Sequence, residues 1–242
     1  MTIRTLAAGP FSSCTGWGCS WGFGLGSQVF DAATNGIIPS LRLARLHVFR
    51  HGEVVTGPAR VCRGHTDAPL SDLGHQQSRL VADRFLAQYG PPARVFSSDL
   101  SRCRDLAVLF QAPVETIPDL REQHMGDWEG RTWESLTREN GAAVTAFWDD
   151  YVAGRPPGGE SWGEAAARVQ RWYGAQRPLE GRIVVVTHIG PIRALLCGWL
   201  GLGPGQGLRF APAYASETVV LDADAGAVIE SLGVPCPQPN RC

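Results

Sequence analysis

Two histidines in this sequence stand where an apolar run stops. In LHVFRHG, residues 46–52, the run gives way to Arg50, His51 and Gly52. In RIVVVTHIG, residues 182–190, it gives way to Thr187, His188 and, two positions on, Gly190. Short apolar runs of this kind read as buried strands. A cation, an imidazole and a glycine at their ends pack little, but they suit a bound group with negative charge. In open α/β sheets ligands bind outside the carboxyl ends of the strands, so His51 and His188 are expected to face one crevice. Gly52 and Gly190 would let backbone and ligand approach closely there.

A third junction, VFSSDLSRC at 95–103, adds a cation. Asp99 is expected to cap the following helix, which puts Arg102 in its first turn, near unpaired N–H groups and the positive dipole end. Arg50 and Arg102 then lie beside two imidazoles. That set suits a tetrahedral oxyanion, above all a phosphate monoester, since one Arg would suffice for a carboxylate. Lys is absent from the chain, so any anion site must use Arg, the better bidentate partner. Phosphoryl transfer from an alkyl ester also needs a proton for the leaving oxygen. The segment DLREQHMGDWEG, 119–130, offers Glu122, Asp127 and Glu129. Glu122 follows a strand and a Pro118 turn and can reach the crevice, but the pattern alone leaves Asp127 open too. His51 must be neutral to attack phosphorus. One ring nitrogen should donate to a backbone carbonyl, and neighbouring arginines should lower its pKa.

The elements that would position these groups alternate along the chain. Strands are expected at 46–50, 93–97, 113–117 and 182–187, with a hairpin of 217–222 and 227–232. Helices are expected at 72–88, 100–110, 132–152, 161–176 and 190–200. This order implies an α/β fold, a three-layer α/β/α sandwich around a mainly parallel sheet. The continuously apolar 182–187 run fits a strand covered on both faces. Residues 118–163, with four tryptophans, read as a mostly helical insertion over one end of the sheet. Residues 1–40, rich in Gly, Ser and aromatics without periodicity, read as a poorly ordered extension, 41–235 as the working domain and 236–242 as a tail.

The rest of the composition excludes other classes. The 242 residues are 44% hydrophobic with a formal net charge of −1, so neither global disorder nor a nucleic-acid partner is indicated. No apolar run is long enough for a membrane span, and the first residues make a poor signal peptide. Seven cysteines, odd in number and without a C-x-x-C pair, point to a reducing, cytoplasmic setting and not to a disulfide framework or zinc ribbon. His65, His75 and His124 read as rim or surface residues, Ser71 and Ser161 as helix caps, Glu160 as structural, and Cys62 and Cys103 as buried, inert thiols. His51, His65 and His188 lack a compact metal-binding spacing, so no metal is expected.

Six blocks in order, RHGE, GHTDAPLSDLG, SSDLSRC, LREQHMGDWEG, PPGGESW and VVVTHIGPIR, resemble the histidine phosphatase superfamily, which includes the cofactor-dependent phosphoglycerate mutases. The resemblance runs from 46 to about 222 and is closest to the α-ribazole phosphatase of cobalamin biosynthesis. It implies His51 as nucleophile, forming a phosphohistidine. Arg50, Arg102 and His188 would hold the phosphoryl oxygens, and Glu122 would protonate the leaving group. Gly64, His65 and Thr66 are further candidates for substrate contact. The implied partner is a small phosphorylated metabolite, with no cofactor, acting as a monomer or homodimer. The mutases carry a Trp-Asn pair shortly after RHG where this chain reads EVVTGPARVC, which argues against mutase activity. A mutase, a broad-specificity sugar-phosphate phosphatase and an inactive phosphate-binding module remain the rival readings.

Overall fold

The computed structural model describes residues 30–31, 36–37, 43–55, 61–224 and 226–236. The chain divides into two units, 1–40 and 41–242. In the first, β1 (Phe30–Asp31) and β2 (Gly36–Ile37) form a short antiparallel pair. The expectation of a poorly ordered extension otherwise lies outside the described residues.

The second unit is built on a six-stranded sheet. In chain order its strands are β3 (Leu43–Arg50), β4 (Arg94–Ser97), β5 (Val114–Thr116), β6 (Gly181–Thr187), β7 (Glu217–Ala223) and β8 (Gly226–Val234). Their spatial order is β5-β4-β6-β3-β7-β8. The first four are parallel, and β7 and β8 complete the sheet as an antiparallel hairpin. The helices are α1 (Asp72–Tyr89), α2 (Ser101–Ala107), α3 (Trp133–Asp149), α4 (Trp162–Gln176) and α5 (Ile189–Trp199).

Strand alternation divides the core into two layers. Ala44, Leu46 and Val48 of β3 and Ile183 and Val185 of β6 pack with α4 and α5. Phe49, Val184 and Val186 point the other way, against Val81, Ala82 and Phe85 of α1 and Leu106 of α2. Covering both faces is what makes the central strands apolar throughout, and the three expected layers are present. Residues 118–132 form two single 3-10 turns and loop before α3. They pack with it around a separate small core of Met125, Trp128, Leu136, Val144 and Phe147, which also takes in Cys62. Of the expected tail, only Cys236 is described, and it packs with the α1–α2 layer.

Helix starts follow the sequence in two cases and depart in one. Ser71 accepts from the Gly74 N–H at 3.0 Å, and Ser161 with Glu164 forms a reciprocal capping box. Asp99 does not cap α2. The helix begins after Leu100, and its first N–H, from Ser101, donates to Asp67 Oδ1 at 2.8 Å. Asp99 instead takes a bidentate pair of bonds from Arg121, at 2.7 and 2.5 Å.

Candidate active site

Register decides the site. In the parallel pair β3–β6, Arg50 lies opposite Thr187, so His51 and His188 leave adjacent strands together. The His51 N–H donates to Thr187 O at 3.0 Å, and the two imidazole centroids are 5.0 Å apart. On the other side of β6, the Ser98 N–H donates to Val186 O at 2.9 Å. This brings the start of α2, with Arg102, to the same rim. Arg50, His51, Arg102, Glu122, His188 and Gly190 all line one cavity of about 370 Å³.

His51 is held by one bond. Its Nδ1 lies 2.7 Å from Gly52 O. A carbonyl can only accept, so Nδ1 carries the proton and Nε2 keeps its lone pair. Burial, then Arg102 and Arg50, push the His51 pKa down to about 3, against the bond to Gly52. His188 is also driven well below the ordinary value, first by burial and then by His51, Arg102 and Arg50. Its Nδ1 accepts from Arg102 Nε at 3.2 Å, and its Nε2 pairs with Ser98 Oγ at 2.9 Å. Both nitrogens of His188 thus already have protein partners.

These depressed values set a pH dependence. Each imidazole is harder to protonate folded than unfolded, so the unfolded chain gains protons as pH falls below about 6.5. Stability is therefore expected to be insensitive to these groups above that pH and to decline below it. Urea titrations between pH 5 and 8 on the wild type and on His51→Gln check this: the variant should show the shallower decline.

Arg102 is nearly fully buried, and three of its five N–H donors are taken by protein acceptors. Besides His188, it donates from Nη1 to Thr66 O at 2.8 Å and from Nη2 to Gly64 O at 2.9 Å. Arg50 donates to Pro212 O at 2.8 Å and lies 3.9 Å over the Tyr214 ring. The Glu122 carboxylate accepts from the Gly190 N–H at 3.2 Å and from the Gln123 N–H at 3.0 Å. Asp127 is not among the cavity-lining residues. The two glycines have a packing role. A Cβ on Gly52 would lie 2.4 Å from Gly74 O, and one on Gly190 would lie 2.0 Å from Glu122 Oε1. Gly52 makes room for α1, and Gly190 for the carboxylate.

Gly64, His65 and Thr66 do not line the cavity. Gly64 and Thr66 reach the site through the carbonyls that hold Arg102, and the His65 ring lies tilted against that of His124 with centroids 4.5 Å apart. Among the described residues, no cluster of three His, Cys, Asp or Glu side chains could hold a metal.

The wall also includes Trp133 and Trp148, two of the four tryptophans of residues 118–163, and Arg63, Tyr151, Arg193 and Tyr214, which were not singled out in the sequence. Arg193 was detectable, because it follows Gly190 by three positions in α5 and so shares its face. Its Nε donates to Phe210 O at 2.8 Å. Tyr214 sits in an irregular loop with no periodic signal.

The profile of the histidine phosphatase superfamily (branch 1) matches residues 46–235. Phosphoglycerate mutase-like protein 4 of Arabidopsis thaliana is 37% identical over 162 residues, 63% of this chain and 69% of that protein. A glucosyl-3-phosphoglycerate phosphatase of Mycolicibacterium vanbaalenii is 34% identical over 179 residues, 67% of this chain and 76% of the relative. Among solved structures, a putative α-ribazole-5′-P phosphatase of Escherichia coli superposes with a TM-score of 0.73 at 25% identity, covering 81% of this chain and 99% of that one. The match over most of the chain, with the two histidines and two arginines joined at one rim of such a sheet, makes this chain a member of the histidine phosphatase superfamily and a phosphoric monoester hydrolase.

Proposed function

We propose that the protein hydrolyses a small phosphate monoester without a metal, through a phosphohistidine on His51, within a catalytic unit spanning 41–235. The observation that carries the reading is the His51–Gly52 hydrogen bond. It fixes the proton on Nδ1 and leaves Nε2 as the nucleophile in a cavity lined by cations. Nε2 forms the bond to phosphorus while the ester P–O bond breaks. Glu122, entering as the acid, gives its proton to the leaving oxygen. A water then attacks phosphorus, its proton returns to Glu122, and His51 leaves as the neutral ring. Arg50 and Arg102 stabilise the charge on the equatorial oxygens. With both its nitrogens engaged, His188 fixes Arg102 and would contact an oxygen only by exchanging a partner.

The substrate we favour is α-ribazole 5′-phosphate. Support comes from the named E. coli structure and from the aromatic wall, where Trp148 and Tyr151 lie nearly parallel with centroids 5.5 Å apart. Such a wall suits a planar, largely apolar leaving group. A second reading, phosphoglycerate-type substrates, is favoured by Arg63 and Arg193 in the same cavity, two cations beyond the phosphoryl pair. Turnover of a panel containing α-ribazole phosphate, 3-phosphoglycerate, glucosyl-3-phosphoglycerate and p-nitrophenyl phosphate decides between them. The first reading expects the highest kcat/KM on α-ribazole phosphate, and preference for either glycerate ester removes it.

Glu122→Gln tests the acid. It should lower kcat for alkyl esters by about 10²-fold to 10⁴-fold and spare p-nitrophenyl phosphate, whose leaving group needs no proton. Equal losses on both would shift the role elsewhere. The described residues include no helix long and apolar enough to cross a membrane. Cys62, Cys103 and Cys197 are buried thiols, which suits the cytoplasm as the working compartment.

A further inference from the structure

Arg102 sits where the phosphoryl group is proposed to bind, yet two of its three bonds go to backbone carbonyls of one loop, Gly64 O and Thr66 O. A guanidinium held by a loop is only as well placed as that loop. The loop has no regular secondary structure, so something else must hold its backbone.

We infer that Glu129 is a positioning residue for the reaction: its carboxylate clamps the 64–66 backbone whose carbonyls aim Arg102 at the phosphoryl group. The inference rests on the proposed phosphoryl site and adds to it a residue that touches neither substrate nor cavity. One oxygen, Oε1, accepts from the His65 N–H at 2.8 Å and the Met125 N–H at 3.1 Å. The other, Oε2, accepts from the Thr66 N–H at 2.5 Å and from the Thr66 hydroxyl. The carboxylate thus takes four donors, three of them backbone N–H groups. Two of these belong to His65 and Thr66, within the span whose carbonyls hold the guanidinium.

The surroundings leave the clamp little freedom. A Cβ on Gly64 would come within 2.2 Å of Gln123 O and 2.6 Å of Glu129 Oε1, so the loop lies directly against the carboxylate. Flanking bonds, Cys62 N–H to Arg131 O at 2.8 Å and Gly130 N–H to Cys62 O at 2.9 Å, zip the loop onto the 125–131 turn. Asp67 ties its far end to the start of α2 through Ser101. Burial would raise the Glu129 pKa, but the Thr66 hydroxyl and the three N–H donors outweigh it and hold it below the ordinary carboxylate value. It is therefore ionised at neutral pH. An amide at this position offers one acceptor oxygen and turns N–H groups toward the remaining donors.

The test is a double-mutant cycle on kcat/KM for p-nitrophenyl phosphate and on competitive inhibition by inorganic phosphate. Glu129→Gln should lower kcat/KM and phosphate affinity by about 10-fold to 10²-fold, as misplacement of a reacting geometry does. In the Arg102→Ala background the same change should cost less than about threefold, because residues that act as one unit are not additive. Thr66→Val, which removes only the hydroxyl donor, gives a milder loss in the same direction and serves if Glu129→Gln fails to fold. Independent losses that multiply, or a Glu129→Gln enzyme within twofold of wild type, overturn the inference and leave the proposed function standing. An Arg102→Ala enzyme with wild-type phosphate affinity overturns both.

Discussion

His51→Ala should reduce turnover of any phosphate monoester by on the order of 10⁴-fold to 10⁶-fold, the range seen when a covalent nucleophile is removed. The fold should survive. The side chain makes one hydrogen bond, to its neighbour's carbonyl, while the strand-end bond to Thr187 is made by the backbone and persists in alanine. The variant should therefore match the wild type in far-UV circular dichroism. Brief reaction with ³²P-labelled substrate followed by denaturing quench should label the wild type with an acid-labile phosphoryl group and leave the variant unlabelled. A variant that still turns over near the wild-type rate, or still takes up label, would assign the nucleophile to another side chain.

Arg102→Ala should be nearly as damaging, by a different route. The loss of one oxyanion contact costs about 10²-fold to 10³-fold in kcat. The same change strands Gly64 O, Thr66 O and His188 Nδ1, all partners of that one guanidinium. The buried ones, Gly64 O and His188 Nδ1, cost about 1–3 kcal/mol each when left unpaired, so a lower unfolding midpoint should accompany the lost activity. Arg102→Lys should not rescue it, because an ammonium cannot reach three acceptors arranged as a planar fork. Restoration of phosphate affinity by lysine would mean that charge alone matters and that the fork does not.

Much of this arrangement was legible because it is local. Apolar runs ending in RHG and THIG located strand ends to within a few residues, and the strand–helix alternation was enough to put both histidines at one rim. Ser71 and Ser161 announced their helices through capping patterns that need only four residues. What was hidden was long-range. Asp99 looked like a cap, but a carboxylate with a guanidinium in reach takes the bidentate pair, and Asp67, distant in sequence, served the helix instead. Gly52 and Gly190 were read as ligand-approach sites, and the sequence held no sign that their missing side chains also make room for α1 and for Glu122. Gly64 to Thr66 were placed in the right neighbourhood, but the hold of their carbonyls on Arg102 was not foreseen, since backbone carbonyls leave no trace in residue type. Tyr214 and the aromatic wall depend on how loops and the insertion pack, which no periodicity encodes.

The partnership of Arg50 with Thr187 has a kinetic meaning. The two strands that carry the imidazoles are neighbours in the sheet, although most of the chain lies between them. Sheet contacts of such wide sequence separation close late, because the entropy of a long loop must be lost before any bond rewards it. The β7–β8 hairpin and the α4–α5 layer need no such closure. During refolding, helical signal should therefore return first, and hydrolysis should return only with the last and slowest phase, making the reaction itself the reporter of finished topology.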